Sequence, residues 1–216
     1  LQLDTHFPRI PGDVGSFDTF KCELEIIRVP NATVKQVVNA DPNQIDLDPF
    51  FDAINKATGD LITTSCGFLS PFQNELDEVC DVPFISSSLR QLEHLKNIYK
   101  PPELQIITFD AAKLGPTHLP IGCEAFNKSV CGLNSDAHLK SIIENNISHI
   151  DISKATADIC AVVRANKKKS TKGILLECTN LPPYKIDIRR ISDVPIYDIL
   201  TAIEKELPDS VNPYFL

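Results

Sequence analysis

Two cysteines stand in nearly the same sequence context. Cys66 ends the apolar run of "LITTSCGFLSPF" (61–72), and Cys178 ends that of "ILLECTNLPPY" (174–184). A constant offset of 112 residues carries Cys66, Leu69 and Pro71 onto Cys178, Leu181 and Pro183. The same offset carries Asp81, Val82 and Pro83 onto Asp193, Val194 and Pro195, which marks an internal repeat. A thiol, with a reference pKa of about 8.5, serves as a base when ionised and as an acid when not. Two thiols on opposite walls of one cleft would reach both faces of a carbon next to a carboxylate or carbonyl. One would remove the proton and the other return it, with the developing negative charge stabilised nearby. The repeat therefore predicts that Cys66 and Cys178 face a common cleft. It also predicts that they outcompete the other five cysteines in brief alkylation.

The elements that must position these thiols are short apolar runs alternating with amphipathic segments, the pattern of a parallel α/β fold. Strands are predicted at 23–29, 60–65, 82–86, 104–109, 173–177 and 194–197. Helical spacing of Leu89, Leu92, Leu95 and Ile98 predicts a helix over 88–98. A second helix is expected in "SDAHLKSIIENN" with Ser135 as its cap, and a third over 151–166. A weaker echo, at an offset of 103, joins "LQLDT" (1–5) to "LQIIT" (104–108). In an open parallel sheet, ligands bind outside the carboxyl ends of the strands, which is where each cysteine falls. A helix start after each cysteine is expected to lower the thiol pKa. Backbone N–H groups there, with Thr179 and Asn180, offer a carboxylate cradle. The segment "FPRIPGDVGS" (7–16) reads as an irregular surface loop of the kind that covers a site or merely connects.

Composition narrows the partners. With 21 basic and 29 acidic residues the formal charge is −8, which argues against nucleic acid or an anionic membrane. The basic run at 167–170 reads as a solvated loop. Seven cysteines, an odd number without C-x-x-C or zinc spacing, fit a reducing compartment, and five of them read as core residues. The five histidines are scattered and read as structural or exposed. No apolar run reaches membrane-spanning length and no signal-peptide layout opens the chain, so a soluble, cytoplasmic protein is expected. Neither a metal nor an organic cofactor is called for by any motif.

"TTSCGFL", "LECTNLPPY" and the opening "LDTHFPRIPGDVG" resemble the aspartate/glutamate/hydantoin racemase superfamily over essentially the whole chain. The resemblance implies two similar Rossmann-like lobes with parallel sheets, related by a pseudo-two-fold axis, and an active site in the cleft between them. The lobes would comprise 1–98, joined by the C-terminal 185–216, and 99–184. It further implies cofactor-independent two-base catalysis by Cys66 and Cys178, a racemase or epimerase and thus an isomerase. Asp4 and Thr5 match the substrate-contacting pair at the end of the first strand. Ser65, Gly67, Phe68, Thr108, Thr179 and Asn180 complete the expected substrate-binding set. Amino-acid racemases usually carry Asn-Thr after the first cysteine, whereas Gly67 and Phe68 stand here, which allows a less polar substrate such as a hydantoin. The expected partner is a small carboxylate or hydantoin, and a homo-oligomer is compatible with the sequence. Alternatives on the same scaffold are a decarboxylase or cis–trans isomerase of the arylmalonate or maleate type. A non-catalytic small-molecule binder is the alternative from another class.

Overall fold

The computed structural model describes residues 1–216. Six strands are formed, all paired in parallel: β1 (Ile62–Thr63), β2 (Phe84–Ile85), β3 (Leu104–Thr108), β4 (Val130–Gly132), β5 (Gly173–Leu176) and β6 (Ile196–Tyr197). The helices are α1 (Val34–Val37), α2 (Asp48–Ile54), α3 (Gln73–Asp77), α4 (Leu92–Leu95), α5 (His138–Glu144), α6 (Ile152–Asn166), α7 (Lys185–Arg189) and α8 (Ile199–Glu206). One sheet has the order β4-β3-β5-β6, and the other pairs β1 with β2. The second is wider in effect than its two strands. Gln2 bridges Arg28 in parallel, and Leu1 docks on β1, its amino group donating to the Thr63 carbonyl and its carbonyl accepting from Ser65 N–H at 2.9 Å. The order 27–29, 1–3, β1, β2 thus mirrors that of the larger sheet.

The 112-residue repeat is reproduced in the register. Ile62 pairs with Phe84 and Ile174 with Ile196; Thr63 pairs with Ile85 and Leu175 with Tyr197. Each cysteine is followed by a 3-10 turn and then a short helix: Gly67–Phe72 before α3, and Pro182–Tyr184 before α7. Proline within each turn lacks the N–H needed to continue a regular α-helix, which keeps these turns tight.

Several expectations shift. Residues 23–27 do not form a strand, because only Arg28 reaches the ladder with Gln2. The helix predicted over 88–98 starts as a 3-10 turn at Ser88–Gln91, whose cap Ser87 accepts from Leu89 N–H, and is α-helical only over Leu92–Leu95. The helix in "SDAHLKSIIENN" begins at His138, so Ala137 rather than Ser135 stands at its cap. The third helix is α6, capped by the Asp151 side chain. β4 was not foreseen: "VCG" is a short, half-buried edge strand with little pattern to read.

A core of 45 buried residues runs from Leu3 through β3 and β5 to Ile196 and joins the lobes without a break. The C-terminal segment is shared. β6 bonds to β5, so Lys185–Tyr197 sits with the second sheet, whereas α8 packs against Val14 and Ile85 of the first lobe. No helix is long and apolar enough to cross a membrane.

Candidate active site

The repeat brings both cysteine turns to one place. Cys66 and Cys178 line a single small cavity with Ser65, Gly67, Phe68, Glu177, Thr179 and Asn180. Its open space is only about 20 Å³, room for about one water molecule. Cross-lobe hydrogen bonds fix the turns. The Thr179 hydroxyl donates to the Ser65 carbonyl at 2.7 Å, and the Ser88 hydroxyl donates to the Leu176 carbonyl at 2.8 Å. Ser65 Oγ in turn accepts from Leu3 N–H at 3.0 Å, so its side chain braces the first strand.

Both thiols are held protonated in this closed state. Burial pushes the Cys66 thiol up to about 12, and the neighbouring Glu177 carboxylate adds to the rise. A backbone N–H at Phe68 and the Arg9 guanidinium pull the other way. Cys178 is pushed well above the ordinary thiol range by burial, then by Glu177; a backbone N–H at Asn180 pulls the other way, and Cys66 and Asp13 oppose its ionisation as well. Its S–H faces the Asn180 Oδ1 at 3.6 Å. The expectation that a helix start lowers each thiol is overturned. The following turns are short 3-10 segments, and desolvation outweighs whatever field they supply.

Glu177 is the least expected occupant. Its side chain is 1% exposed, Oε2 accepts from the Thr108 hydroxyl at 2.6 Å, and Oε1 has no hydrogen-bond partner. Burial raises this carboxyl to about 7, against the Thr108 hydrogen bond, which lowers it. Gly67 is what admits the carboxylate: a Cβ there would lie 1.9 Å from Glu177 Oε1 and 2.8 Å from the Glu177 carbonyl oxygen. Gly67, expected to contact substrate, has this carboxylate as its structural neighbour.

The loop 7–16 forms the opposite wall. Phe7 and Arg9 line the cavity, and the guanidinium lies 4.5 Å from the centre of the Phe7 ring. Arg9 Nη1 pairs with the Asp13 carboxylate at 3.3 Å, and Nη2 donates to Thr5 Oγ1 at 3.2 Å. Arg9 Nε is buried without a partner. Asp13, 2% exposed, also accepts from Asn180 Nδ2 at 2.6 Å, which ties the loop to the Cys178 turn. Gly12 sits at φ +100°, and a Cβ there would meet Pro183 Cα at 2.6 Å, so glycine allows the loop to dock on that turn.

Of the predicted site residues, Cys66, Cys178, Ser65, Gly67, Phe68, Thr179 and Asn180 come together at the cavity. Thr5 and Thr108 stand one layer behind it, holding Arg9 and Glu177. Asp4 is outside: it does not line the cavity and lies 3.8 Å from Arg28 at a half-exposed position. Arg9, Asp13 and Glu177 were missed. The only signal was charge placed within a Pro/Gly-rich loop, or directly after the apolar run "ILL". No group of three or more His, Cys, Asp and Glu side chains is arranged to hold a metal ion. The seven cysteines are all free; Cys123 and Cys160 are buried, Cys80 and Cys131 half-buried, and Cys22 is exposed rather than in the core.

No protein-family model matches the sequence. The chain is 29% identical over 224 residues to a dimethylsulfoniopropionate lyase of Durusdinium sp. clade D, covering 94% of this chain and 71% of that protein. It is 27% identical to dimethylsulfoniopropionate lyase 7 of Emiliania huxleyi (strain CCMP1516), covering 100% of this chain and 67% of that one. Among solved structures, the Picrophilus torridus aspartate racemase superposes with a TM-score of 0.51 at 16% identity, over 81% of this chain and 80% of the other. The lyase likenesses overturn the expectation of a racemase, an epimerase or any isomerase. The relatives that match along the chain cleave, whereas the racemase likeness lies in the fold. The chain thus has the two-lobed α/β fold of the Picrophilus torridus aspartate racemase, with sequence relatives that are lyases.

Proposed function

We propose that this chain is a lyase that cleaves the C–S bond of dimethylsulfoniopropionate by β-elimination. Removing the proton from the carbon next to the carboxylate leaves an electron pair that becomes the new C=C bond. The C–S bond breaks, sulfur keeps its electrons and departs as neutral dimethyl sulfide, and acrylate remains. The proton stays on the base and is later lost to solvent. The first step is the one a racemase also performs. A positively charged leaving group on the next carbon diverts it to elimination, so the same scaffold serves both reactions. The observation that carries the reading is the likeness to two lyases over 94% and 100% of this chain.

The two thiols have unequal parts in this scheme. Cys66 is the base: a backbone N–H favours the thiolate at each cysteine, at Phe68 and at Asn180, but the Arg9 guanidinium favours it at Cys66. Cys178 faces more opposing charge, and its S–H is directed toward Asn180. It remains a thiol and supports the substrate carboxylate as charge develops there. Arg9, whose charge is paired with Asp13 and whose Nε has no partner, donates a hydrogen bond to that carboxylate.

The test is headspace detection of dimethyl sulfide, with acrylate quantified in solution. Wild type is expected to release the two in equal amounts. Cys66→Ser should lower the rate roughly 10² to 10⁴-fold, the usual weight of a positioned base. Cys178→Ala should lower it about 10-fold, the loss of one hydrogen bond to a charged group, whereas Cys178→Ser keeps a donor and should stay nearer the wild-type rate. A wild-type chain that releases no dimethyl sulfide, or a Cys66→Ser variant at wild-type rate, would overturn the assignment.

A further inference from the structure

We propose that Glu177 is the anionic subsite for the substrate's positively charged sulfur, making the cavity selective for zwitterions; this rests on the lyase reading above. Glu177 and Arg9 are the charged residues of the cavity lining. Arg9 is already paired with Asp13, so Glu177 carries the charge that nothing in the lining offsets. Its position is set from both lobes. It immediately precedes Cys178 in sequence, and its Oε1 lies against Gly67, the neighbour of Cys66. A carboxylate placed between two thiols opposes the ionisation that the chemistry needs. A buried oxygen without a partner is also costly in itself. Both liabilities are removed by one kind of guest, a cation held against Oε1.

The walls suit a sulfonium rather than an ammonium with N–H groups. A sulfonium has no N–H or O–H to donate, so it is recognised by charge and by aromatic faces. Phe7, Phe68 and Phe109 line the cavity, and Glu177 supplies the charge. The arrangement also links recognition to reactivity. Once the cation stands against Glu177, the carboxylate no longer opposes a thiolate at Cys66, so the base forms with substrate in place. A structural carboxylate would give no such preference for charge.

Two probes of nearly equal shape separate these readings: 3-(trimethylammonio)propionate, which is cationic at its far end, and 4,4-dimethylpentanoate, which is neutral there. Their dissociation constants are measured calorimetrically on the purified chain, independently of turnover. Wild type is expected to prefer the cationic probe about 10-fold or more, the equivalent of one good cation contact. Glu177→Gln should bring the two constants within about 3-fold by weakening the cationic probe alone, and Glu177→Asp should retain part of the preference. Thr108→Val, which removes the hydrogen bond that holds the Glu177 carboxyl down, should protonate more of it and reduce the preference at pH 7, and it covers the case in which Glu177→Gln fails to fold; an unchanged preference in both variants would overturn the subsite. An undiminished preference in Glu177→Gln, or equal weakening of both probes, would overturn the subsite. If dimethyl sulfide is released but the preference is absent, the subsite fails and the lyase reading stands. If the preference is present but no dimethyl sulfide is released, the lyase reading fails and the subsite stands.

Discussion

Glu177 sits in the folded protein with its carboxyl raised to about 7 by burial, against an ordinary value of 4.5. The groups around it are the Thr108 hydroxyl and the Cys66 and Cys178 thiols, with the Arg9–Asp13 pair on the far wall. A raised carboxyl binds its proton more tightly in the folded state than in the unfolded one. Its contribution to stability is therefore complete below about pH 4.5 and is lost as pH rises through about 7. The full shift corresponds to about 3 kcal/mol. Glu177→Gln should remove this slope, so the variant gains on wild type as pH rises from 5 to 8. Urea midpoints for both chains across that range check this, and titrations shared by the two cancel in the difference. Parallel pH profiles would show that the carboxyl is not buried as described. The gain in stability should accompany lost selectivity, the usual trade at a binding site. The two thiols were legible in the sequence because they recur in matching contexts. Glu177 was not, because the burial of a carboxylate is decided by Gly67, more than a hundred residues away in the chain.

The helix that follows the Cys178 turn is anchored by an ion pair. Lys185, at the start of α7, meets Asp198 at 2.6 Å, with side chains 2% and 0% exposed. Lys185 Nζ also donates to the Phe215 carbonyl at 2.6 Å, and Asp198 caps α8 by accepting from Thr201 N–H. The pair joins the turn bearing Cys178 to the C-terminal helix and tail. Lys185→Met would leave a buried carboxylate without its counter-charge, and the expected cost is about 3 to 5 kcal/mol. Lys185→Met with Asp198→Asn should recover much of this, because asparagine still caps α8 and carries no charge. Urea denaturation of Lys185→Met, Asp198→Asn and the double variant reads the coupling, and a Lys185→Met cost below about 1 kcal/mol would contradict the burial. At this scale the strands at β1, β2, β3, β5 and β6 were legible from short apolar runs. Their lengths were not, because a strand ends where its neighbour stops offering hydrogen bonds, as at Arg28 against Gln2.

For the whole molecule, the repeat implied a common cleft, and the structure places both thiols on one cavity. What the repeat could not reveal is that the cavity is closed. Its open space is about 20 Å³, less than a substrate requires, and the lobes share one core and are joined beside the thiols by hydrogen bonds from Thr179 to Ser65 and from Ser88 to Leu176. A hinge between rigid lobes would have to break that core. The loop 7–16 offers a smaller movement, since its ties to the Cys178 turn are the Asn180–Asp13 hydrogen bond and the docking of Gly12 on Pro183. Thiol reactivity follows thiolate fraction and access; in the closed state Cys66 has little of either, and Cys178, half-buried, is held as the thiol. The alkylation order expected from the sequence is therefore reversed. At pH 8, brief iodoacetamide treatment should label the exposed Cys22 first, as read by mass mapping. In a Cys22→Ser background, slow labelling of Cys66 then reports opening of the cavity. Asn180→Ala, which removes a loop tie, should speed it, and 3-(trimethylammonio)propionate should slow it by occupying the cavity. Labelling of Cys66 or Cys178 as fast as Cys22 in the wild-type chain would mean that the cavity stands open in solution and that the loop does not gate it.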